Sequence, residues 1–212
     1  YIPRRRKAIV RDKNCVVLET PRRADDADSA ATESYPFERR TGAEVPVDLC
    51  GLDEDGHGTY DASGITALAE ALLVNAALTN LNVLVNKFDT ETINMLLKTK
   101  KKRPNLITLC GIYDDQTEAV FAFGDLTPSD ALLLAAEIEV NTVLSSLDLG
   151  SNKLGGVDWR GGTSSGIIAL AEALKVNTVL KSIDIRRNPL LDDAKQMVRN
   201  AVEGRAGFKL MV

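Results

Sequence analysis

Apolar residues recur at the helical spacing i, i+3, i+4, i+7 in four segments of the chain. The four sets are Ile65, Leu68, Ala69 and Leu72; Ala131, Leu134, Ala135 and Ile138; Ile167, Leu170, Ala171 and Leu174; and Ala194, Met197, Val198 and Ala201. Each set places one apolar stripe along a helix. A further helix is predicted over residues 91–101, and Ser63, Ser129 and Ser165 are the expected N-caps of the first three striped helices.

A second apolar pattern follows three of the helical segments. The copies read Leu78-x-x-Leu81-x-Val83-x-x-Asn86-x-Phe88, Leu144-x-x-Leu147-x-Leu149-x-x-Asn152-x-Leu154 and Leu180-x-x-Ile183-x-Ile185-x-x-Asn188-x-Leu190. Alternation within each copy predicts a short strand with its apolar side chains on one side. The Asn predicts a turn, because its amide can bond backbone groups that a chain reversal leaves without partners. A strand and a helix that recur together predict stacked units.

The link from helix to strand also repeats. Val-Asn-x-x-Leu occurs at residues 74–78, 140–144 and 176–180, directly after the apolar stripe of each helix. We interpret it as the corner where the helix ends and the strand begins. In the unit that begins at Leu106, the corner is replaced by the basic residues 102–103 and Pro104.

One unit is irregular. Leu106-x-x-Leu109-x-Gly111 begins another copy of the strand pattern, but the strand-like run 119–123 follows too soon for a helix to fit between them. We expect two closely spaced strand turns here, the second of which begins a helix-bearing unit at Pro128. Counting both, the sequence predicts an α/β chain of five to six strand turns with a cap at each end.

This pattern resembles the ribonuclease-inhibitor type of leucine-rich repeat, whose units of about 28 residues hold one strand and one helix. The segments 109–119 and 201–212 look like those of a group of such proteins from dinoflagellates and other unicellular algae. The resemblance covers the chain from about Val45 to its end. It implies a curved solenoid with a parallel sheet on the concave face and helices on the convex face, and it carries no family-wide catalytic residues.

Three regions follow from this interpretation. Residues 45–190 are expected to form the solenoid, and residues 191–212 a C-terminal helix–strand cap that is the natural end of the protein. Residues 1–44 fit no repeat and carry the basic cluster of Arg4, Arg5 and Arg6, followed by a strand candidate at 15–18. They are expected to form a partly extended arm. Its role is open between a cap on the first repeat and a segment that orders on a partner.

Composition narrows the class of protein. The net charge of −4 is too small to indicate a specific partner, and no apolar run approaches the length of a transmembrane helix. The three cysteines lack metal-binding spacing, so we expect free thiols in a reducing, intracellular compartment, whether cytoplasm, cilium or an organelle after removal of a transit peptide. His57 is the single histidine and lies in a glycine-containing loop without the ligands of a calcium site. We therefore expect no metal and no cofactor.

Binding residues were sought at the strand positions that alternate with the apolar ones. One outward row contains Asn82, Asp148 and Asp184, and the next contains Leu84, Ile112 and Arg186. If the strands line the concave face, its middle is weakly apolar and its ends are acidic. A surface of this kind suits the binding of another polypeptide.

Two further segments have two interpretations each. Lys101, Lys102 and Arg103 end the helix 91–101, where cations are favoured by the helix dipole, but they also suit an acidic partner, a phosphate or a membrane headgroup. A nucleic-acid partner is not expected, because no aromatic residues are interleaved with these basic residues. Trp159 lies in a glycine-rich insertion, where it either packs over a neighbouring repeat or anchors an interface.

These observations favour a non-catalytic protein that binds other protein subunits through its concave face and its N-terminal arm. It would be an interaction module or an adaptor subunit. Whether it associates peripherally with a larger complex is left open. The alternative is a regulator of an enzyme, such as a GTPase-activating or nuclease-inhibitor-like protein. An enzyme is not expected, because the repeat register assembles no nucleophile–base pair around the single histidine.

Overall fold

The computed structural model describes residues 7–9, 15–19, 44–46, 50, 52, 58–155 and 165–212, which form a mixed α/β structure of five helices and eight strands. The helices are α1 (Ser63–Val74), α2 (Thr90–Lys102), α3 (Pro128–Val140), α4 (Ser165–Val176) and α5 (Asp192–Ala201). The strands are β1 (Lys7–Ile9), β2 (Cys15–Glu19), β3 (Glu44–Pro46), β4 (Asn80–Leu81), β5 (Glu118–Val120), β6 (Ser146–Asp148), β7 (Ser182–Asp184) and β8 (Lys209–Met211). All five predicted helices are confirmed.

The start of α3 differs from the prediction. Its N-cap is Thr127, and Pro128 takes the first helical position, where a missing N–H costs nothing. The backbone N–H and the hydroxyl of Thr127 both donate to Asp130, at 2.8 and 2.7 Å. Ser129 is therefore not the cap, and its hydroxyl donates instead to the carbonyl of Phe88 at 2.6 Å. This bond ties α3 to the turn that precedes α2.

The start of α1 also corrects a prediction. The N-cap position is Ala62, and Asp61 supplies the acceptor for the backbone N–H of Ser63 at 2.8 Å. Ser63 is thus the first helical residue and not the cap. Ser165 is likewise the first residue of α4. A serine at these places does not have to cap, because a nearby carboxylate or a preceding residue can satisfy the free N–H groups.

The larger sheet is parallel throughout, in the order β1-β5-β6-β7-β8. A helix lies between each successive pair of strands from β5 to β8, as parallel neighbours require. The smaller sheet has the order β3-β2-β4, with both pairings antiparallel. The segments β1 and β2 therefore join strands from the middle of the chain. The strand predicted at 15–18 and the strand predicted within the C-terminal cap are confirmed as β2 and β8.

The irregular unit separates the two sheets. Residues 103–127 are all described and contain no helix, as predicted. Thr108 and Cys110 pair with Asn80 and Asn82 beside β4, whereas β5 pairs with β6 and β1. The second strand turn begins the unit of α3 at Pro128, which confirms the prediction for this segment.

The asparagine turn is confirmed in three units. Asn86, Asn152 and Asn188 each donate their side-chain amide to the carbonyl of the apolar residue three positions earlier, at 2.9–3.0 Å. Asn152 also reaches the carbonyl of Phe121, and Asn188 that of Leu149, so these two side chains bond one unit to the one before it. Buried amides with several partners stabilise one register of stacking over others.

One backbone conformation recurs at the same turn. Val85, Phe123, Ser151 and Arg187 have φ angles of +66°, +59°, +55° and +55°. Each lies two residues after an inward apolar residue of its unit. A left-handed conformation in a residue other than glycine is uncommon and costs on the order of 1 kcal/mol or more. In these four units the left-handed residue lies three or four positions beyond the last residue of the strand.

Helices and strands share one continuous apolar core. The stripes of α3 and α4 are fully buried, as predicted, whereas Met197 of α5 is 44% exposed and was wrongly assigned to the inward side. Cys50 and Cys110 are buried, as expected, and the Sγ of Cys50 donates to the carbonyl of Asn86 at 2.7 Å. The side chain of Cys15 lies outside the described part. Burial, followed by the nearby carboxylate of Glu137, raises the pKa of the Cys110 thiol well above its usual range.

Candidate interaction surface

The predicted polar row lies at the strand ends, and each member closes a turn. The side-chain oxygens of Asn82, Asp148 and Asp184 accept the backbone N–H two residues later, at 3.1, 2.9 and 2.9 Å. Asp148 and Asp184 are direct partners across β6 and β7. The structure therefore brings these two carboxylates together as predicted, but each already serves its own chain reversal.

Asp184 has a second partner in Arg186. The guanidinium Nη2 lies 2.6 Å from Oδ2 of Asp184, and Nε donates to Oδ1 at 3.0 Å. These side-chain hydrogen bonds hold the pKa of Asp184 below its usual range. Asp184 is only 8% exposed, whereas the Arg186 side chain is 59% exposed. This end of the row consequently presents a guanidinium group that pairs with Asp184, beside the half-exposed Asp148.

Leu84 and Ile112 do not face outward as expected. They are 2% and 3% exposed and belong to the apolar core. The physical reason is that both lie beyond the end of their strands. Leu84 precedes the left-handed Val85, and Ile112 follows Gly111 at φ +72°, so period-2 alternation no longer applies to them. The two residues expected to form the apolar middle of the concave surface are therefore not on the surface.

The basic run at the end of α2 is divided by the fold. Lys101 and Lys102 are exposed, as expected of a solvated helix end. Arg103 is only 8% exposed, and its Nη2 lies 3.5 Å from the carbonyl of Leu78, so it was wrongly placed on an exposed patch. Lys100 lies 2.7 Å from Glu137. A partner would thus meet the exposed Lys98, Lys101 and Lys102 here, whereas Lys100 is paired and Arg103 is buried.

Glu137 links α3 to α2 and to the irregular unit, which has no helix of its own. Glu137 is only 5% exposed. Its carboxylate accepts hydrogen bonds from Lys100, from the hydroxyl of Thr108 at 2.6 Å and from the backbone N–H of Leu109. The ion pair and both further bonds satisfy a charge that would be costly to bury alone. The site joins α2, α3 and the irregular unit, and no local pattern in the sequence predicts it.

Phe123 is the most exposed large apolar side chain at the strand-end turns, at 73%. Its backbone N–H donates to the carbonyl of Gly150 at 3.0 Å, so the turn is fixed to the next unit. Beside it, Asp125 lies 3.3 Å from Lys153 in an ion pair that is partly exposed. An exposed aromatic ring is thus held on a rigid turn and bordered by charges of both signs.

In the sequence, Phe123 ends the strand-like run 119–123 and is not among the predicted binding residues. Its signal was present in the register. The equivalent residues of the other units are Val85, Ser151 and Arg187, none of which is aromatic, so an aromatic residue at this place departs from the pattern. This departure is not evident from the spacing alone, because Phe123 lies two residues after Phe121, which is also the spacing of inward residues in a strand.

Arg4, Arg5, Arg6 and Trp159 lie outside the described residues, as does His57. Among the residues that the structure describes, no group of three or more His, Cys, Asp and Glu side chains could hold a metal ion. In the same part of the chain, every helix is too short or too polar to cross a lipid bilayer. No protein-family model matches the chain, and no curated protein matches its sequence.

Proposed function

We propose that the chain is a leucine-rich-repeat solenoid of the ribonuclease-inhibitor type, curved with its strands on the concave face. Four turns with the same left-handed residue and three with the same asparagine bonds support this architecture. Two of these asparagines also bond the preceding unit. Bonds of that kind between neighbours are what a stack of like units needs.

The function proposed for this solenoid is non-catalytic binding of another polypeptide within a larger assembly. The exposure of Phe123 on its strained turn carries this proposal. An aromatic side chain that is 73% exposed loses the stabilisation it would gain from burial. Its left-handed backbone costs a further 1–2 kcal/mol, roughly, relative to ordinary conformations. The fold does not require this residue type, because Ser151 occupies the same conformation one unit later.

The surroundings of Phe123 suit an interface. Binding energy in protein interfaces is concentrated in a few anchors, often aromatic or arginine, with a polar rim around them. Phe123 has the partly exposed Asp125–Lys153 pair beside it, and Arg186 lies further along the same row of turns. We call the surface formed by Phe123, Lys153 and Arg186 at the ends of the strands the turn face. It replaces the apolar concave centre that Leu84 and Ile112 were expected to supply.

The test compares Phe123→Gly with Ser151→Gly. Both changes place glycine at a left-handed residue of the same turn, and only the first removes the aromatic ring. Neither should lower the free energy of unfolding, because relief of the left-handed strain offsets the added freedom of the unfolded chain, with a net gain of up to about 1 kcal/mol.

Tagged full-length wild type and both variants are used to capture proteins from extracts of the source cells, with capture quantified by mass spectrometry. We expect the same proteins on wild type and Ser151→Gly and their loss from Phe123→Gly. Equal capture by all three chains, with all three folded, would refute a role for the turn face.

A further inference from the structure

Helices α1 and α4 are nearly the same sequence in different surroundings. Residues 63–75 and 165–177 differ at only two positions, where Thr66 and Leu73 correspond to Ile168 and Lys175. Helix α4 has α3 as its preceding neighbour, whereas α1 is the first helix among the described residues. A comparison of the two therefore shows what the same face does with and without a neighbour.

In α4 this face is buried against α3. Its members are Gly166, Leu170, Ala173 and Asn177, all buried and spaced along one side of the helix and its corner. A β-carbon on Gly166 would lie 2.4 Å from the carbonyl oxygen of Pro128 and 2.7 Å from the β-carbon of Ala131. The absence of a side chain at Gly166 is what permits this close approach.

The corner of α4 completes the contact. The amide nitrogen of Asn177 donates to the carbonyls of Ile138 and Asn141, at 2.6 and 2.8 Å. These carbonyls belong to the end of α3, where a helix leaves its last C=O groups without internal partners. Asn177 thereby closes the end of the helix that packs on α4.

In α1 the same four residue types stand at the same places, and no described helix precedes α1 to pack on them. Gly64, Ala71 and Asn75 are exposed, and Leu68 is half-buried. Asn75 makes the same turn as Asn177, accepting from Ala77 and Leu78 at 2.9 and 3.0 Å. Its amide nitrogen has no acceptor among the described residues. We call this set, Gly64, Leu68, Ala71 and Asn75, the open α1 face.

The open α1 face has the residues of a helix-packing site, and no helix of the described residues lies on it. A glycine in a helix is less favourable than alanine, and Gly64 is exposed. In α4 the same glycine and asparagine contact α3, and the same alanine is buried. Because the two faces have the same residues, a partner of α1 is expected to have the shape that α3 presents to α4.

We propose that the open α1 face docks an amphipathic helix of another polypeptide, which lies parallel to α1 as α3 lies beside α4. The docked helix presents small residues at its first turns, as Pro128 and Ala131 do, and ends beside Asn75, which caps its last carbonyls. It extends the helix layer beyond α1, continuous with the existing packing. This inference rests on the proposed role as an interaction module, but it uses a surface separate from the turn face.

The test uses a fluorescent synthetic peptide with the sequence of residues 127–141, which contains α3, as the probe. Anisotropy is measured as the full chain is titrated into the peptide. We expect saturable binding to wild type and a loss of affinity of about tenfold or more for Gly64→Leu, because a large side chain overlaps the docked helix. The control, Glu70→Leu, adds the same side chain at a position that is exposed in both α1 and its α4 counterpart, and it should bind like wild type.

A second measurement asks whether the chain covers this face itself. Ala71→Cys is labelled with a maleimide in the folded chain, and modification is followed at the peptide level by mass spectrometry. We expect the rate of a free, exposed thiol, and protection from labelling when the peptide is added. Slow labelling without peptide, no saturable binding, or binding that is insensitive to Gly64→Leu would each overturn the proposal. Phe123→Gly should leave peptide binding unchanged, so failure here is distinct from failure of the turn face.

Discussion

Gly166 of α4 and Pro128 of α3 approach so closely that a β-carbon on Gly166 would lie 2.4 Å from the Pro128 carbonyl oxygen. Contacts between real β-carbons and backbone oxygens are not that short, so one of the two helices would have to move. The matching residue of α1, Gly64, is exposed. The same sequence position is therefore constrained in one helix and unconstrained in the other.

Alanine at these two glycines should change stability in opposite directions. Gly166→Ala is expected to lower the free energy of unfolding by about 1–3 kcal/mol, because the added methyl group overpacks the α3–α4 contact. Gly64→Ala should raise it by a few tenths to about 1 kcal/mol, through better helix propensity. Urea denaturation of both variants beside wild type measures the two effects. The same sign of change in both would show that the two faces do not differ as described.

Removal of the Glu137 carboxylate should be costly. Glu137→Ala leaves Lys100 and the hydroxyl of Thr108 without their partner in a buried site, with an expected loss of about 3–5 kcal/mol. Glu139→Ala on the same helix is the matched control, because Glu139 is exposed and should cost less than about 0.5 kcal/mol. Both values come from chemical denaturation at pH 7. A loss for Glu137→Ala no larger than that of the control would mean that the carboxylate does not hold α3 to the irregular unit.

The Asp184–Arg186 pair should give a stability term that depends on pH. Hydrogen bonds from Arg186 lower the pKa of Asp184 below its ordinary value of 3.8, so the folded state favours the ionised carboxylate. This contribution is fully present above the ordinary pKa and disappears as the pH falls through the lowered one. Asp184→Asn should therefore cost about 0.5–1 kcal/mol at pH 7, a modest value because Arg186 is largely exposed.

Denaturation of wild type and Asp184→Asn across acidic pH measures this term. The difference between the two should stay constant from pH 7 down to about pH 5 and shrink below the ordinary pKa of aspartate. It should also decrease in high salt, which screens exposed charges. A difference that grows as the pH falls would contradict the assigned direction of the pKa shift.

The helices and the asparagine turns were predictable because a local pattern reports them. An apolar stripe such as that of α3 indicates the buried side of a helix whatever lies opposite. Asn152 forms its turn with backbone three residues away, so its role also shows in the sequence. Both features depend on spacing within one unit.

The exposed surface was less predictable because it depends on where alternation stops and on distant neighbours. Leu84 was placed outward because nothing in the sequence marks Val85 as left-handed. Arg103 was placed in solvent because its contact with Leu78 is a long-range one. The clearest case is Gly64 and Gly166, which have the same local sequence and opposite burial.

Hydroxyl-radical footprinting of the chain, alone and bound to a captured partner, tests the turn face most directly. The method reads the solvent exposure of individual side chains, and both Phe123 and Met197 start largely or partly exposed, at 73% and 44%. The proposed function predicts that the partner protects Phe123 from oxidation and leaves Met197 of α5 unchanged. Oxidation of Phe123 at the same rate in the complex, with protection confined to other surfaces, would contradict it.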